Sequence, residues 1–265
     1  MKSSLSLDSK IKLRNNEEIP VLGFGTYELD GDEAYQAVMW ALETGYRHID
    51  SAEWYENERE CGRAILDFCK QANIPRSEIF YTTKLKYNNG YNAVKRSIER
   101  SLELCGLGYI DLYLIHGPIG GPQARLDSWR AICEVQKSGK LKSIGISTFG
   151  VRHMQELIDS GLPLPVVHQA WAPLVRGLRF NHPVVARLSS KYSKEPAHIL
   201  LRYSLQKGYV AIPKSVKKER IVSNTKLFDF ELQGGEIAEL DDLDEGAVSS
   251  IWKQLAPAYH RSQHL

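Results

Sequence analysis

Tyr109-Ile110-Asp111-Leu112-Tyr113-Leu114-Ile115-His116 is the most apolar short run of the chain, and its setting decides the fold. Eight residues rich in aromatic and branched side chains predict a strand, and a continuous apolar run predicts one buried on both faces. Stretches of helical period flank it, Gly90–Cys105 before and Asp127–Ser138 after. Further out lie the strands Ile79–Leu85 and Ser143–Thr148, then the helices Glu56–Gln71 and His153–Ser160. Val21–Tyr27, the helix Asp32–Thr44 ending at Gly45, and the strand Arg47–Ala52 complete the N-terminal side. Strand and helix alternating at this spacing predict a parallel sheet with right-handed crossovers. Lys10–Ile19, with a turn at Arg14-Asn15-Asn16-Glu17, predicts a hairpin able to plug one end of a barrel.

After Ser160 the alternation falters. Val166–Pro173 reads as a strand, but a loop at Gly177–Pro183 follows it where a helix is due. Two helical stretches come next, Val184–Tyr192 and Ala197–Gly208, then a strand at Val210–Ser215 and a helix at Glu219–Leu227. The expectation is an α/β fold of the (β/α)₈ TIM-barrel type, shortened by part of one β/α unit so that seven strands are readable. The 265 residues are just enough for such a barrel, which takes about 250. With no low-complexity linker, the chain is expected to be one domain over 1–265, with its core at 11–232 and a tail at 233–265.

Composition narrows the function. At 43% hydrophobic and 25% charged residues the chain has ordinary globular composition, and a net charge of +2 gives no argument for nucleic acid or membrane as partner. Met1–Lys10 lacks the apolar core of a signal peptide, and no apolar run approaches the ~20 residues of a membrane span. The four cysteines, Cys61, Cys69, Cys105 and Cys133, show no Cys-x-x-Cys spacing, so neither a metal site nor a disulfide framework is expected. A cytoplasmic location with reduced thiols is the matching expectation, with a monomer favoured.

Chemistry gathers at strand ends. Asp50, Lys84 and His116 stand at or near the C-terminal ends of consecutive strands, and Tyr55 lies just beyond one. Barrel enzymes build their active sites at that face. Reduction of a carbonyl leaves an alkoxide that needs a proton, and a tyrosine, titrating near 10, is a competent acid at neutral pH. An ammonium from Lys84 would lower that value, Asp50 would hold the ammonium, and His116 could donate a hydrogen bond to the carbonyl oxygen. Taken singly, each has a plainer reading as packing, an ion pair or a satisfied polar group; the constellation carries the hypothesis. Lys214, Ser215, Arg220 and Asn224, around the last strand and the helix after it, could surround a phosphate. Gly23-Phe24-Gly25 lacks the third glycine of a Rossmann fingerprint.

These residues resemble the aldo-keto reductase family, from about Ile11 to Leu232. Gly45-Tyr46-Arg47-His48-Ile49-Asp50 with Ala52 and Tyr55 is similar to its first signature, Asp111–His116 to its histidine strand, and Ile212-Pro213-Lys214-Ser215 with Arg220 and Asn224 to its cofactor signature. The resemblance implies an NADPH-dependent oxidoreductase that reduces a small aldehyde or ketone, with Tyr55 as proton donor, Asp50 and Lys84 as its tuning pair and His116 orienting substrate. NADPH/NADP+ would be bound without a Rossmann fold. Lys214, Ser215 and Arg220 would hold its 2′-phosphate, Asn224 the adenine, and Ser147 and Gln169 the nicotinamide carboxamide. Trp171 would stack on the nicotinamide ring, and Gly25, Thr26, Leu174 and Val216 complete the cofactor set. Tyr27 and Trp54, with His116, would line the substrate pocket.

The chain departs from the family pattern in several places. Thr148 stands for the usual asparagine, Gly117 for a frequent tryptophan after the histidine, and Lys86 at a position that is often aromatic, so the expected pocket is open and less aromatic. Only one residue separates Gln169 from Trp171, positions that the family carries on two successive strands, whereas a parallel crossover takes a dozen residues or more. At this point two other readings stay open: an NADPH-binding or regulatory protein without turnover, and an inactive truncated product.

Overall fold

The computed structural model describes residues 5–170, 174 and 177–243. A two-stranded antiparallel hairpin, β1 (Lys10–Lys12) with β2 (Glu18–Pro20), comes first, and Asn16 takes a positive φ of 70° in its turn. Then follow β3 (Phe24–Gly25), α1 (Gly31–Thr44), β4 (His48–Asp50), α2 (Glu58–Ala72), β5 (Phe80–Leu85), α3 (Tyr91–Cys105), β6 (Ile110–Ile115), α4 (Pro122–Gln136), β7 (Leu141–Ser147), α5 (Val151–Asp159) and β8 (Val167–Gln169). β3 to β8 form one sheet in sequence order with every neighbour parallel, the curled arrangement of a (β/α)₈-type barrel.

Burial explains why these segments became strands. All six residues of β5 are buried and all but Asp111 in β6, as expected of a sheet covered on both faces. Outside the sheet, Leu42, Ile65, Ile98, Trp129 and Ile144 belong to one apolar cluster between sheet and helices. Inside, at the end where the strands begin, Ile19 of the hairpin meets Phe80, Leu112 and Leu114, with Ile11 and Leu13 packed against them. Each such side chain contributes about 1.5–3 kcal/mol when fully buried. The hairpin therefore plugs the end opposite the strand C-termini, as its sequence predicts.

The structure corrects the reading of the C-terminal part. Val210–Ser215 does not form a continuous strand: only Ala211 pairs, in a parallel bridge with Leu22. Three backbone bonds fasten it beside β3, from Ala211 to Val21 at 2.9 Å, from Gly23 to Ala211 at 2.8 Å and from Gly25 to Pro213 at 3.0 Å. Among the described residues no backbone hydrogen bond joins it to β8 on its other side. A strand needs a ladder, and the strand that would supply the outer ladder is the one missing from the sequence; Pro213 also has no N–H to give. Val167 and Val210 nevertheless pack on the same apolar plug, so the gap is a seam in the hydrogen bonding rather than in the packing. β8 is shorter than the predicted Val166–Pro173, part of which lies outside the described residues.

Helix limits shift modestly. α4 begins five residues before the predicted Asp127, because Pro122 suits a first helical position. α6 (Pro183–Tyr192) and α7 (Pro196–Gln206) follow the sequence, whereas α8 (Lys218–Ser223) stops short of the predicted Leu227. α9 (Gly234–Asp241) lies in the predicted tail; Gln233 and Glu236 form its capping box, a signal that the tail assignment passed over. Leu240 of α9 joins Val185, Leu188, Ile199 and Leu200 in a second apolar cluster. No described helix is long and apolar enough to cross a membrane.

Candidate active site

The strand ends continue to pair for one residue beyond the ladders, and that fixes the site. Thr26 donates its N–H to Asp50, Ser51 to Thr82, His116 to Leu85 and Thr148 to Gln169. Side chains at these termini thus project from a rigid rim. Asp50 and Lys84, from β4 and β5, are 3% and 1% exposed. Lys84 Nζ donates to Asp50 Oδ1 at 2.6 Å, to the Ser51 carbonyl at 2.8 Å and to Tyr55 Oη at 3.5 Å, which uses all three ammonium protons. Tyr55, in a 3₁₀ turn over Glu53–Tyr55, also lies 3.5 Å from His116 Nε2 and places its ring 4.9 Å from the ammonium. The four residues singled out from sequence therefore meet at one point.

Electrostatics adjusts one expectation. Burial raises the Tyr55 pKa, and the nearby Lys84 ammonium only partly offsets it, so the net direction is upward and not the expected lowering. Burial likewise raises Asp50 against the pull of Lys84, while Asp50 and Tyr55 keep Lys84 cationic despite its own desolvation. His116 is pushed down to about 3 by burial and by Lys84, so its imidazole is neutral at physiological pH.

The residues that the family resemblance assigns to the cofactor divide into two groups. Ser147 and Gln169 are register partners across β7 and β8, and Gln169 Nε2 donates to Asp50 Oδ2 at 3.2 Å. Gln169 Oε1 is buried and has no hydrogen-bond partner. Gln169 thus keeps its place beside the quartet despite the shortened sequence that follows. Trp171 lies outside the described residues. Leu174 packs against both apolar clusters. On the other flank, a Cβ on Gly25 would come within 3.3–3.4 Å of the side chain and carbonyl of Ile212, so glycine permits this close approach. Lys214 Nζ reaches the Glu28 carbonyl at 3.4 Å, and the Ser215 hydroxyl accepts from Lys217 N–H at 3.1 Å. Val216 and Arg220 are exposed, and Asn224 is buried.

The residues expected to line the substrate pocket surround the quartet with aromatic rings. Tyr27 meets the Tyr55 ring at 5.2 Å, and Trp54 stands edge-to-face with His116 at 5.8 Å. Several supporting residues escaped the sequence reading. Fully buried Asn57 donates to the carbonyls of Thr26 and Leu29 and accepts from the Thr26 and Ser51 hydroxyls, which ties the ends of β3 and β4 together. Asn88 donates to the carbonyls of Gly117 and Ile119, and Arg125, paired with Glu156, donates to those of Pro118 and Gly120. Four successive carbonyls after His116 are thereby held. The only sequence signal for them is a polar residue beside an apolar pattern, which any surface position also gives.

The profile of the aldo/keto reductase family matches residues 21–183, and the chain belongs to that family. It is 39% identical to an uncharacterised oxidoreductase of Schizosaccharomyces pombe, with 90% of this chain and 95% of that protein covered. A glyoxal reductase of Bacillus subtilis is 36% identical, with 91% and 94% covered. The S. pombe alignment runs over 264 positions while using 90% of a 265-residue chain, so roughly two dozen positions face no residue here, enough for one helical crossover and its strand. Among solved structures, an aldo-keto reductase of Bombyx mori in complex with NADP superposes with a TM-score of 0.84 at 32% identity, with 94% of this chain and 98% of that one covered.

Proposed function

We propose that this protein is an NADPH-dependent reductase of small aldehydes and ketones in which Tyr55 donates the proton. The observation that carries the reading is the buried Lys84 ammonium held between Asp50 and Tyr55, with neutral His116 beside the phenol. NADPH fits what surrounds it: the orphaned carbonyl of Gln169 is an acceptor awaiting a carboxamide N–H, and Ser147 is adjacent. Lys214, Ser215 and Arg220 would hold the 2′-phosphate and Asn224 the adenine, with Gly25, Thr26, Leu174 and Val216 as further contacts. Bound there, NADPH would supply the hydride.

The residues of this chain then do the rest. A raised pKa keeps the Tyr55 hydroxyl protonated at neutral pH, so it is ready to donate when charge develops on the substrate oxygen. The phenolate left behind lies 3.5 Å from a cation that Asp50 anchors. His116 Nδ1 is buried without a partner. A bare acceptor is cheaper to bury unpaired than an N–H, which puts the ring proton on Nε2, facing Tyr55 and the carbonyl. Retention of the whole quartet in working geometry favours this reading over a cofactor-binding protein without turnover or an inactive product.

Relatives named glyoxal reductase and, from Escherichia coli, methylglyoxal reductase make small dicarbonyls the first substrates to try. The test is NADPH oxidation with methylglyoxal and an aldehyde panel, comparing wild type with Tyr55→Phe. Loss of general-acid transfer should lower kcat by about 10²–10⁴-fold with NADPH affinity retained. Equal rates for the two proteins would overturn the assignment.

A further inference from the structure

The wall beyond His116 carries a charge that proton transfer does not use. Lys86 lies two residues after Lys84, just past the end of β5. Its Nζ is 6.0 Å from the Trp54 ring centroid and 5.8 Å from that of Tyr87. Trp54 in turn faces His116. The indole thus neighbours both His116 at the reacting end and the Lys86 ammonium. Gly117, after His116, adds no side chain to close the space.

The present partner of Lys86 is replaceable. Its ammonium lies 3.3 Å from Glu56 Oε1, whose side chain is 77% exposed while that of Lys86 is 24% exposed. Such a pair with a solvent-exposed carboxylate is held only weakly. The other nearby carboxylate, Glu53, accepts from the backbone N–H of Lys86 and from the Ser97 hydroxyl, so it is engaged away from the ammonium. An incoming carboxylate, shielded by two aromatic rings, would make a stronger charge-assisted bond than Glu56 does.

We propose that Lys86 is a specificity-determining residue and that the preferred substrates are carbonyl compounds bearing a carboxylate on the side of the molecule away from the reacting carbon. This rests on the reductase reading given above. Lys86 binds the carboxylate, Trp54 packs on the connecting atoms, and Tyr55 and His116 face the carbonyl.

The test pairs 4-formylbenzoate with its neutral isostere 4-formylbenzamide under NADPH. Wild type should favour the acid about tenfold in kcat/KM, chiefly through KM, and added salt should shrink the preference. Lys86→Met should erase the preference, and Glu56→Gln, which removes the competing carboxylate, should enlarge it. Equal efficiency for acid and amide in wild type, or a Lys86→Met change that lowers both alike, overturns the proposal. Calorimetric titration with benzoate and benzamide reads the same selectivity without turnover. Benzoate preference lost in Lys86→Met, with no reduction of either aldehyde, supports the anion site and counts against the reductase reading alone.

Discussion

From β3 to β7 each strand is flanked by bonded neighbours, and each crossover helix closes over the sheet. From β8 to Ala211 the same sheet has an edge, three partly exposed residues on one side and a single bridge on the other. The first region delivers Asp50, Tyr55, Lys84 and His116; the second delivers Gln169, Leu174 and the Lys214–Asn224 segment. The shortened part of the barrel thus leaves the Asp50–Tyr55–Lys84–His116 cluster assembled on the intact arc. What it weakens is the flank assigned to the cofactor.

The sharpest way to break that contrast is within the intact arc. Lys84→Met leaves Asp50 buried without its cation, and such a loss costs about 3–5 kcal/mol, which chemical denaturation should show as a lowered midpoint. An unchanged midpoint would mean that Asp50 finds water in place of the ammonium. Hydrogen exchange compares the two regions directly. Amides of β5 and β6 should exchange only through global unfolding, while those of Val167–Gln169 and Ala211 should open at least ~100-fold more often. Equal protection would show that the seam is as strong as a paired edge, and added NADPH should narrow the difference if the cofactor bridges it.

A pH series probes the arc again. His48 is fully buried between Thr82 and Phe80, and burial first, then Lys84, pushes it down to about 3. Its folded pKa lies below the unfolded 6.5, so the stability it supports is complete above pH 6.5 and is lost as pH falls toward 3. The expected slope is about 1.4 kcal/mol per pH unit per such histidine. His48→Gln should flatten it when urea midpoints are measured between pH 7 and 4, and an unaltered slope would assign the effect elsewhere. The smallest expected effect sits where the arc meets the seam. Thr148 holds φ at 57°, a region costly for a β-branched residue, while its hydroxyl donates to the His116 carbonyl. Thr148→Asn should relieve about 1 kcal/mol of strain and raise Tm by about 2–4 °C, and a lowered Tm would show that the hydroxyl bond outweighs the strain.

Much of this was legible in residues 10–160. Continuous apolar runs such as Tyr109–His116 can hardly be anything but doubly covered strands, and Asp50, Lys84 and His116 stand out as polar groups at their ends. Legibility failed where tertiary context overrides local pattern. Val210-Ala211-Ile212 opens as apolar as a strand should, but a ladder needs a neighbour and, among the described residues, none is bonded on its outer side. Asn57, Asn88 and Arg125 bind backbone carbonyls far away in sequence, and no local period encodes that.

The sequence by itself determined the family, the order of strands and helices from β1 to β8, and the four residues that meet around Tyr55, because periodicity and signature spacing are local properties. The tertiary structure decided the direction of the Tyr55 pKa, the place of Gln169 beside Asp50 and the open seam between β8 and Ala211. Those depend on burial and on which backbone groups find partners, and both are settled only when distant segments pack together.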